Sequence, residues 1–558
     1  MDTAHIKSHH TLFLVVCVFL GVLTTLLHYS FGNNDHIEQL PIIYRTLDPD
    51  YLTNDFFVNS NAEFSPRYYY AQVVSFFGSW MGIPLFFLIG TLLSNSAIAV
   101  LTYLNARILL KNQKTGIIAA AFVMVFPTIH LGGDLVLFGS MFTPTTLVFP
   151  FVLLAFYFFL QKRMVLCFMT TGAISLVHIL IGLEYGILFL FTWMLVDFLQ
   201  NKSATSFLKK LPYLAIIIVF LLPNLIPYFE NKTLIDSSLF IEMLAHFRHP
   251  HHYVLSEILT LWEVLKLGTV IAIVLITWKT FTKKVQNTTH SKSVQIIGIL
   301  LVGAVFLNWI FIEWIPIKEV TSLQLLRLLN FGKWIFILLF VNFMYQRITG
   351  KANKSDDLVV YVLFIFLLSI SGVSMLKLPI ITVTFTFVLY LLFKQKKQLL
   401  LISLPLILTG LLLLNYAPIS FLKPYQKQYL STGGLTETQQ ELSQFVQSNT
   451  AEDAIFLSPP LFGFLRTEAK RAIVVDFKAF PFQEAAMQEW YQRIEDCYGL
   501  DTDLLDAVYQ DMTDAKVIQL QHKYGFNYAV LHAKTETKIP TIYSNSEYKI
   551  IALATYAQ

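Results

Sequence analysis

Runs of about twenty apolar residues recur along this chain, and no other feature constrains its fold as strongly. A bilayer core about 30 Å thick is crossed by roughly twenty residues rising 1.5 Å each. The segment Thr11–Phe31 has that length and follows a short head with Lys7 and three histidines. It lacks a small-residue cleavage site, so it reads as a retained span rather than a removed signal peptide. Further spans are expected near 82–106, 116–131, 145–160, 164–180, 183–199, 211–228, 264–281, 294–312, 333–346, 358–374, 379–393 and 399–416, about thirteen in all. The division inside 164–199 is the hardest to place, because Gly182 and Glu184 interrupt a nearly continuous apolar run. Composition agrees: 55% of the 558 residues are hydrophobic and 14% charged, against about 25% charged in soluble domains. Such a chain cannot cover its surface with polar groups, so much of it faces lipid. The net charge of +4 does not point to nucleic acid. Cys17, Cys167 and Cys497 are too far apart in sequence for a disulfide framework or zinc spacing.

Basic clusters set an orientation. Arg107/Lys111/Lys114, Lys162/Arg163, Lys202/Lys209/Lys210, Lys279/Lys283/Lys284/Lys292, Arg347/Lys351/Lys354 and Lys394/Lys396/Lys397 alternate with the spans. The positive-inside rule puts them all in the cytoplasm. With the N-terminus also inside, an odd span count places the C-terminal tail outside. The first outer loop, within 32–80, carries Asp35, Glu38, Asp48, Asp50, Asp55 and Glu63 against Arg45 over residues 32–66. It continues as PRYYYAQVVSFFGSW (66–80), which reads as an amphipathic helix at the interface. Residues 229–262 and 313–332 form further outer segments.

The expected division is a multi-span domain, 1–416, and an extracytoplasmic soluble α/β domain, 417–558. In the latter, 436–448 looks helical, with Thr436 as a cap but no acid at the capping-box position. Strands are expected at 454–458, 472–477, 527–532 and 548–554, with a helix over 482–496. No GxGxxG or P-loop occurs there, so nothing suggests nucleotide binding.

Three groups of residues could carry chemistry. The acidic loop offers carboxylates for a general base or a divalent cation, and burial against its aromatic residues would raise a pKa as a base requires. The simpler reading is a solvated loop of turns. HFRHPHH at 246–252 packs four histidines and an arginine into seven residues. Pro250 spoils i, i+4 ligand spacing, so phosphate contact is preferred to a metal site. The third group is His130, Asp134, His178, Glu184, Arg327 and Lys333 at span ends. Ionisable groups at such depth line a polar cavity or pair with one another. In the tail, Arg466, Arg471, Asp476, Lys478, Glu489, Trp490 and Arg493 read most simply as a salt-bridged surface.

Asp35–Gln39 with LDPDYLTNDFF, the FRHPHH segment, and the tail pattern R…R…VDFKAFPF…EWYQR together resemble bacterial membrane proteins related to the GT-C glycosyltransferase superfamily. The resemblance extends over nearly the whole chain and implies a multi-pass protein of the bacterial cytoplasmic (inner) membrane. It implies transfer of a sugar from a polyprenyl-phosphate or polyprenyl-diphosphate carrier to a glycan, lipid or protein acceptor on the outer face. No cofactor, metal or nucleic acid is implied. The superfamily's carboxylate lies in the first outer loop, which assigns Asp35, with Glu38 as its neighbour. A DD, DE or ED pair is common there, where this chain has Asn34-Asp35-His36. Arg248, His249, His251, His252 and Arg327 would then meet the donor phosphate. The alternative is a non-enzymatic scaffold or transporter for envelope polysaccharide.

Overall fold

A computed structural model describes residues 3–62, 65–125, 137–230, 235–284, 289–349 and 429–553. Where apolar runs are long, the backbone satisfies its own hydrogen bonds as helix, the form a chain adopts when water cannot reach it. Among the described residues seven helices are long and apolar enough to cross a membrane: His10–His28, Ile83–Leu110, Ile179–Asn201, Pro212–Glu230, Leu261–Trp278, Thr289–Trp314 and Lys318–Gln346. Gln113–Met124, Pro144–Leu160 and Met164–Val177 are shorter apolar helices. The spans expected at 358–374, 379–393 and 399–416 lie outside the described residues.

The ambiguous stretch 164–199 divides at His178, not at Gly182 or Glu184. His178 is extended (φ −142°, ψ 92°), and its ring accepts from the Ile181 N–H at 3.5 Å to start the next helix. Gly182 lies inside that helix and is needed for packing, because a Cβ there would fall 2.3 Å from the Ser175 backbone nitrogen.

The chain forms two compact units. One comprises 1–29, 89–222 and 250–427; the other comprises 30–88, 223–249 and 428–558. The tail therefore shares its unit with the first acidic loop and with 223–249. Its sheet has the order β2-β1-β3-β5-β4, with β1 Ile455–Leu457, β2 Ala472–Ile473, β3 Tyr528–His532, β4 Thr541–Ser544 and β5 Tyr548–Ala552. The strands β1, β2 and β3 are parallel; β5 runs antiparallel to β3 and to β4. Four strands fall where expected, although β2 is only two residues long, and β4 was not expected. The alternating buried positions Phe456, Ile473, Val530 and Ile550 join Phe462 and Phe464 in the core. The helix Glu437–Asn449 does carry a capping box: Thr436 accepts from the Gln439 N–H, and the Gln439 amide oxygen accepts from the Thr436 N–H. Glutamine fills the position where an acid was sought.

The acidic loop is not a solvated run of turns. It contains the helices His36–Leu47 and Phe56–Ser60, and Asp55 is fully buried. One Asp55 oxygen caps the second helix through the Val58 N–H at 3.0 Å. The other accepts from Arg466 Nε at 2.7 Å and from the Ile473 N–H at 3.0 Å. Arg466 also pairs with Asp476, and both are buried. Burial alone would lower the Arg466 pKa, but the two carboxylates outweigh it and push the guanidinium up. The expected salt-bridged surface is thus corrected at Arg466, Asp476 and the buried Trp490. It holds for Arg493 and Glu489, which pair at 2.6 Å across one helical turn.

Removing one member of a buried ion triad leaves the others uncompensated. Arg466→Met is expected to destabilise this unit by about 3–5 kcal/mol. Hydrogen exchange at the amides of β1 and β3 measures it, and unchanged protection would contradict the assignment.

Candidate functional site

The His36–Leu47 helix is fixed at its start by a tight turn. Gly32 has φ +77°, and a Cβ there would lie 2.4 Å from the Thr432 hydroxyl. Its N–H donates to His36 Nδ1 at 3.0 Å, and the buried His36 ring packs against Phe31 and Phe87. One residue on, Gly463 of the tail meets Ile37 so closely that a Cβ would lie 2.4 Å from its side chain. Asp35 and Glu38 therefore stand on one side of a helix turn whose position is set on two sides.

Both carboxylates face cations. Asp35 accepts from Lys478 Nζ at 2.9 Å, with 46% of its side chain exposed. Glu38 accepts from Arg67 Nη2 at 2.7 Å and is nearly buried. Arg248 ends the π-helical turn Glu242–Arg248 and is buried. Its Nη2 donates to the Lys478 carbonyl at 2.7 Å, and its guanidinium lies over Phe477. Phe247 beside it packs edge-on against Phe477, Trp490 and Tyr491, and His249 packs against Phe480. Two donors in this cluster, Arg67 Nη1 and Arg248 Nε, are buried with no hydrogen-bond partner among the described residues. Buried donors of this kind are costly unless a ligand or water fills them.

The electrostatics correct one expectation. Burial does push the Asp35 carboxyl up, but Lys478, Arg67 and His36 outweigh it and hold the group below the ordinary aspartate range. Protein crowds this residue on most sides, yet its carboxylate reaches solvent. Arg248 is lowered by its burial, against the opposing pull of Glu38, Asp476 and Asp35; a guanidinium stays charged regardless. Arg67 was missed in the sequence. Its signal was a lone cation heading an aromatic helix, Tyr68–Met81.

The remaining expected residues belong to the other unit. Arg327 Nη1 lies 3.5 Å from His178 Nε2, and its Nε donates to Gln324, whose amide donates to the Tyr253 hydroxyl. Glu184 is buried nearby, under the charge of Arg327, and among the described residues neither of its oxygens accepts a hydrogen bond. His178, Glu184 and Arg327 thus do come together, as ionisable groups on span ends were expected to. The His251 and His252 rings lie with centroids 4.1 Å apart, tilted by 47° to each other. His130 and Asp134 lie outside the described residues. Among the described residues no group of three or more His, Cys, Asp or Glu side chains is arranged to hold a metal ion.

Residues 437–497 match a domain of unknown function (DUF6798). No curated protein matches the chain by sequence. Among solved structures the chain is similar to ArnT from Cupriavidus metallidurans in the apo state, at 11% identity and a TM-score of 0.48 over 99% of each chain. It is similar to the same protein bound to undecaprenyl phosphate, at 12% identity and a TM-score of 0.45 over 99% of each chain. It also resembles the apo oligosaccharyltransferase from Archaeoglobus fulgidus, at 12% identity and a TM-score of 0.45, over 96% of this chain and 70% of that one. Identities and scores this low leave the chemistry to the chain's own residues.

Replacing Lys478 tests the electrostatics. Because the folded pKa of Asp35 is lowered, its contribution to stability is present above the unfolded pKa and is lost as pH falls through the folded one. In Lys478→Met the opposing charge is gone and the Asp35 carboxyl should protonate at higher pH. Infrared difference spectra against Asp35→Asn follow the carboxyl band, and an unmoved titration would show that Lys478 does not control it.

Proposed function

We propose that this chain is a GT-C-like glycosyltransferase, moving a sugar from a polyprenyl-(di)phosphate carrier to an acceptor on the outer face of the membrane. The observation that supports it best is the cluster itself: a solvent-reaching, ionised Asp35 grouped with Arg67 and Arg248, each of which keeps one buried nitrogen without a hydrogen-bond partner among the described residues. A carboxylate and unfilled guanidinium donors suit opposite halves of such a transfer.

The bond between the sugar's anomeric carbon and the carrier phosphate oxygen breaks, and its electron pair stays on the phosphate. The acceptor oxygen bonds to that carbon, and its proton passes to Asp35. Phosphate is a good leaving group, so the acceptor hydroxyl becomes strongly acidic only as its new bond forms. A carboxylate of low pKa can take the proton at that late stage, and it is ionised throughout the neutral range. Arg67 and Arg248 would balance the charge developing on phosphate. Glu38 holds Arg67 and is the neighbouring candidate for the base. His249, His251, His252 and Arg327 are assigned to carrier contacts on charge and side alone.

The apolar runs and basic clusters support about thirteen spans with a cytoplasmic N-terminus and an extracytoplasmic tail, and the family resemblance supports a bacterial inner membrane. A site on that outer side has no access to cytoplasmic nucleotide sugars, which favours a lipid-linked donor. The rival reading, a non-enzymatic scaffold or transporter for envelope polysaccharide, is favoured by one fact: both Asp35 and Glu38 are engaged in ion pairs.

Purified protein supplied with polyprenyl-phosphate sugars separates the two. On the transferase reading the wild type consumes the donor, and Asp35→Asn lowers turnover by about 10²–10⁴-fold, the usual weight of a positioned base. Full turnover in both Asp35→Asn and Glu38→Gln would remove the base assignment. No donor consumption by the wild type would favour the scaffold.

A further inference from the structure

A cleft of about 550 Å³ opens on the tail, lined among others by Gln510, Asp511, His532, Lys534, Ser546 and Glu547. Its place in the sheet is informative. His532 is the last residue of β3, and Tyr548, the first of β5, is its direct partner in the antiparallel register. The cleft therefore lies beyond the carboxyl end of a parallel strand, where the sheet changes from parallel to antiparallel pairing. Open α/β sheets take ligands at that end of their strands, because the loops there diverge and leave a crevice. The volume lies within the roughly 300–1,000 Å³ of small-molecule sites.

The lining defines the ligand. Ala533 is its one aliphatic residue, so neither a lipid chain nor an apolar peptide anchor finds a partner. Two acids face one lysine, which gives no basic cluster for a phosphate or polyanion. Amide, hydroxyl, carboxylate, ammonium and imidazole groups instead alternate as donors and acceptors. The rings of His532 and Tyr548, with centroids 5.8 Å apart and tilted by 46°, add aromatic surface to the lining. That combination suits a ligand with hydroxyls around its rim and C–H faces between them.

The cleft is also held open. Asp506 meets His532 Nε2 at 3.3 Å, Thr535 donates to the Gln510 carbonyl at 3.0 Å, and Thr438 donates to Glu547 at 2.9 Å. Among the described residues no hydrogen bond or ion pair engages the side chains of Asp511, Lys534 and Ser546.

We propose that this cleft is a binding site for a neutral glycan of a few sugar units. The site is distinct from Asp35 and does not depend on transfer taking place there, since binding is read without turnover.

Saturation-transfer NMR on the full chain in nanodiscs, with cellotriose, chitotriose and mannotriose as probes, tests it. At least one trisaccharide should bind saturably to the wild type and to Asp35→Asn alike. The double variant Asp511→Asn/Lys534→Met, altered only at exposed side chains, should bind it at least tenfold more weakly. The proposal is overturned if no trisaccharide binds, if the double variant binds undiminished, or if the tripeptide Lys-Ala-Lys binds in place of every sugar.

Discussion

Two carboxylates and one guanidinium buried together hold the second unit in register. Asp55 comes from the first acidic loop; Arg466 and Asp476 come from the tail more than four hundred residues later. Such a group is costly to desolvate and tolerable only when every member is paired and hydrogen-bonded. Here they are: Asp55 also caps a helix and receives a strand amide, and Asp476 also receives the Ala479 N–H at 2.7 Å. The Tyr51 hydroxyl donates to the Arg466 carbonyl and adds a second tie between loop and tail. With the loop fixed, its acidic helix can lie on Gly463, and Lys478 can reach Asp35. The candidate site is thus a consequence of a buried electrostatic lock.

Much of this was legible in the sequence, for a physical reason. Apolar length decides which segments can cross a bilayer, and helices accordingly stand at most of the expected span positions among the described residues. Alternation of β-branched and aromatic residues likewise located four strands. What escaped was tertiary in origin. Asp55 and Arg466 look like ordinary surface charges until their partners are known, since no local pattern distinguishes a solvated acid from a buried one. The break at His178 was hidden because a histidine can cap a helix as well as interrupt one. β4 was missed because Thr541–Ser544 is only four residues long and mostly exposed, so it shows no alternation of buried and exposed positions.

The site itself was half legible. The family resemblance singled out Asp35 and Glu38 in the acidic outer loop and Arg248 in the histidine-arginine segment, and the structure gathers these three in one unit. Burial was expected to raise the pKa of a loop carboxylate serving as a base; at Asp35 burial does act that way, but the distant Lys478, invisible to a local reading, outweighs it together with Arg67 and His36. That correction changes the chemistry assigned to the carboxylate. A base of raised pKa would remove a proton early in the reaction. On the proposed reading, a carboxylate held ionised by neighbouring cations would accept the proton late, once the acceptor oxygen has begun to bond to the anomeric carbon and become acidic. On the proposed transferase reading Arg67 would serve both ends, since it helps hold Asp35 ionised and would also face the leaving phosphate.

The dependence of kcat/KM on pH, measured with a polyprenyl-phosphate sugar donor, tests this account most directly. Wild type should show an acid limb below the ordinary aspartate range, and Lys478→Met should move that limb to higher pH while some turnover remains. A limb that does not move with Lys478, in an enzyme that still turns over, would contradict the role given to Asp35.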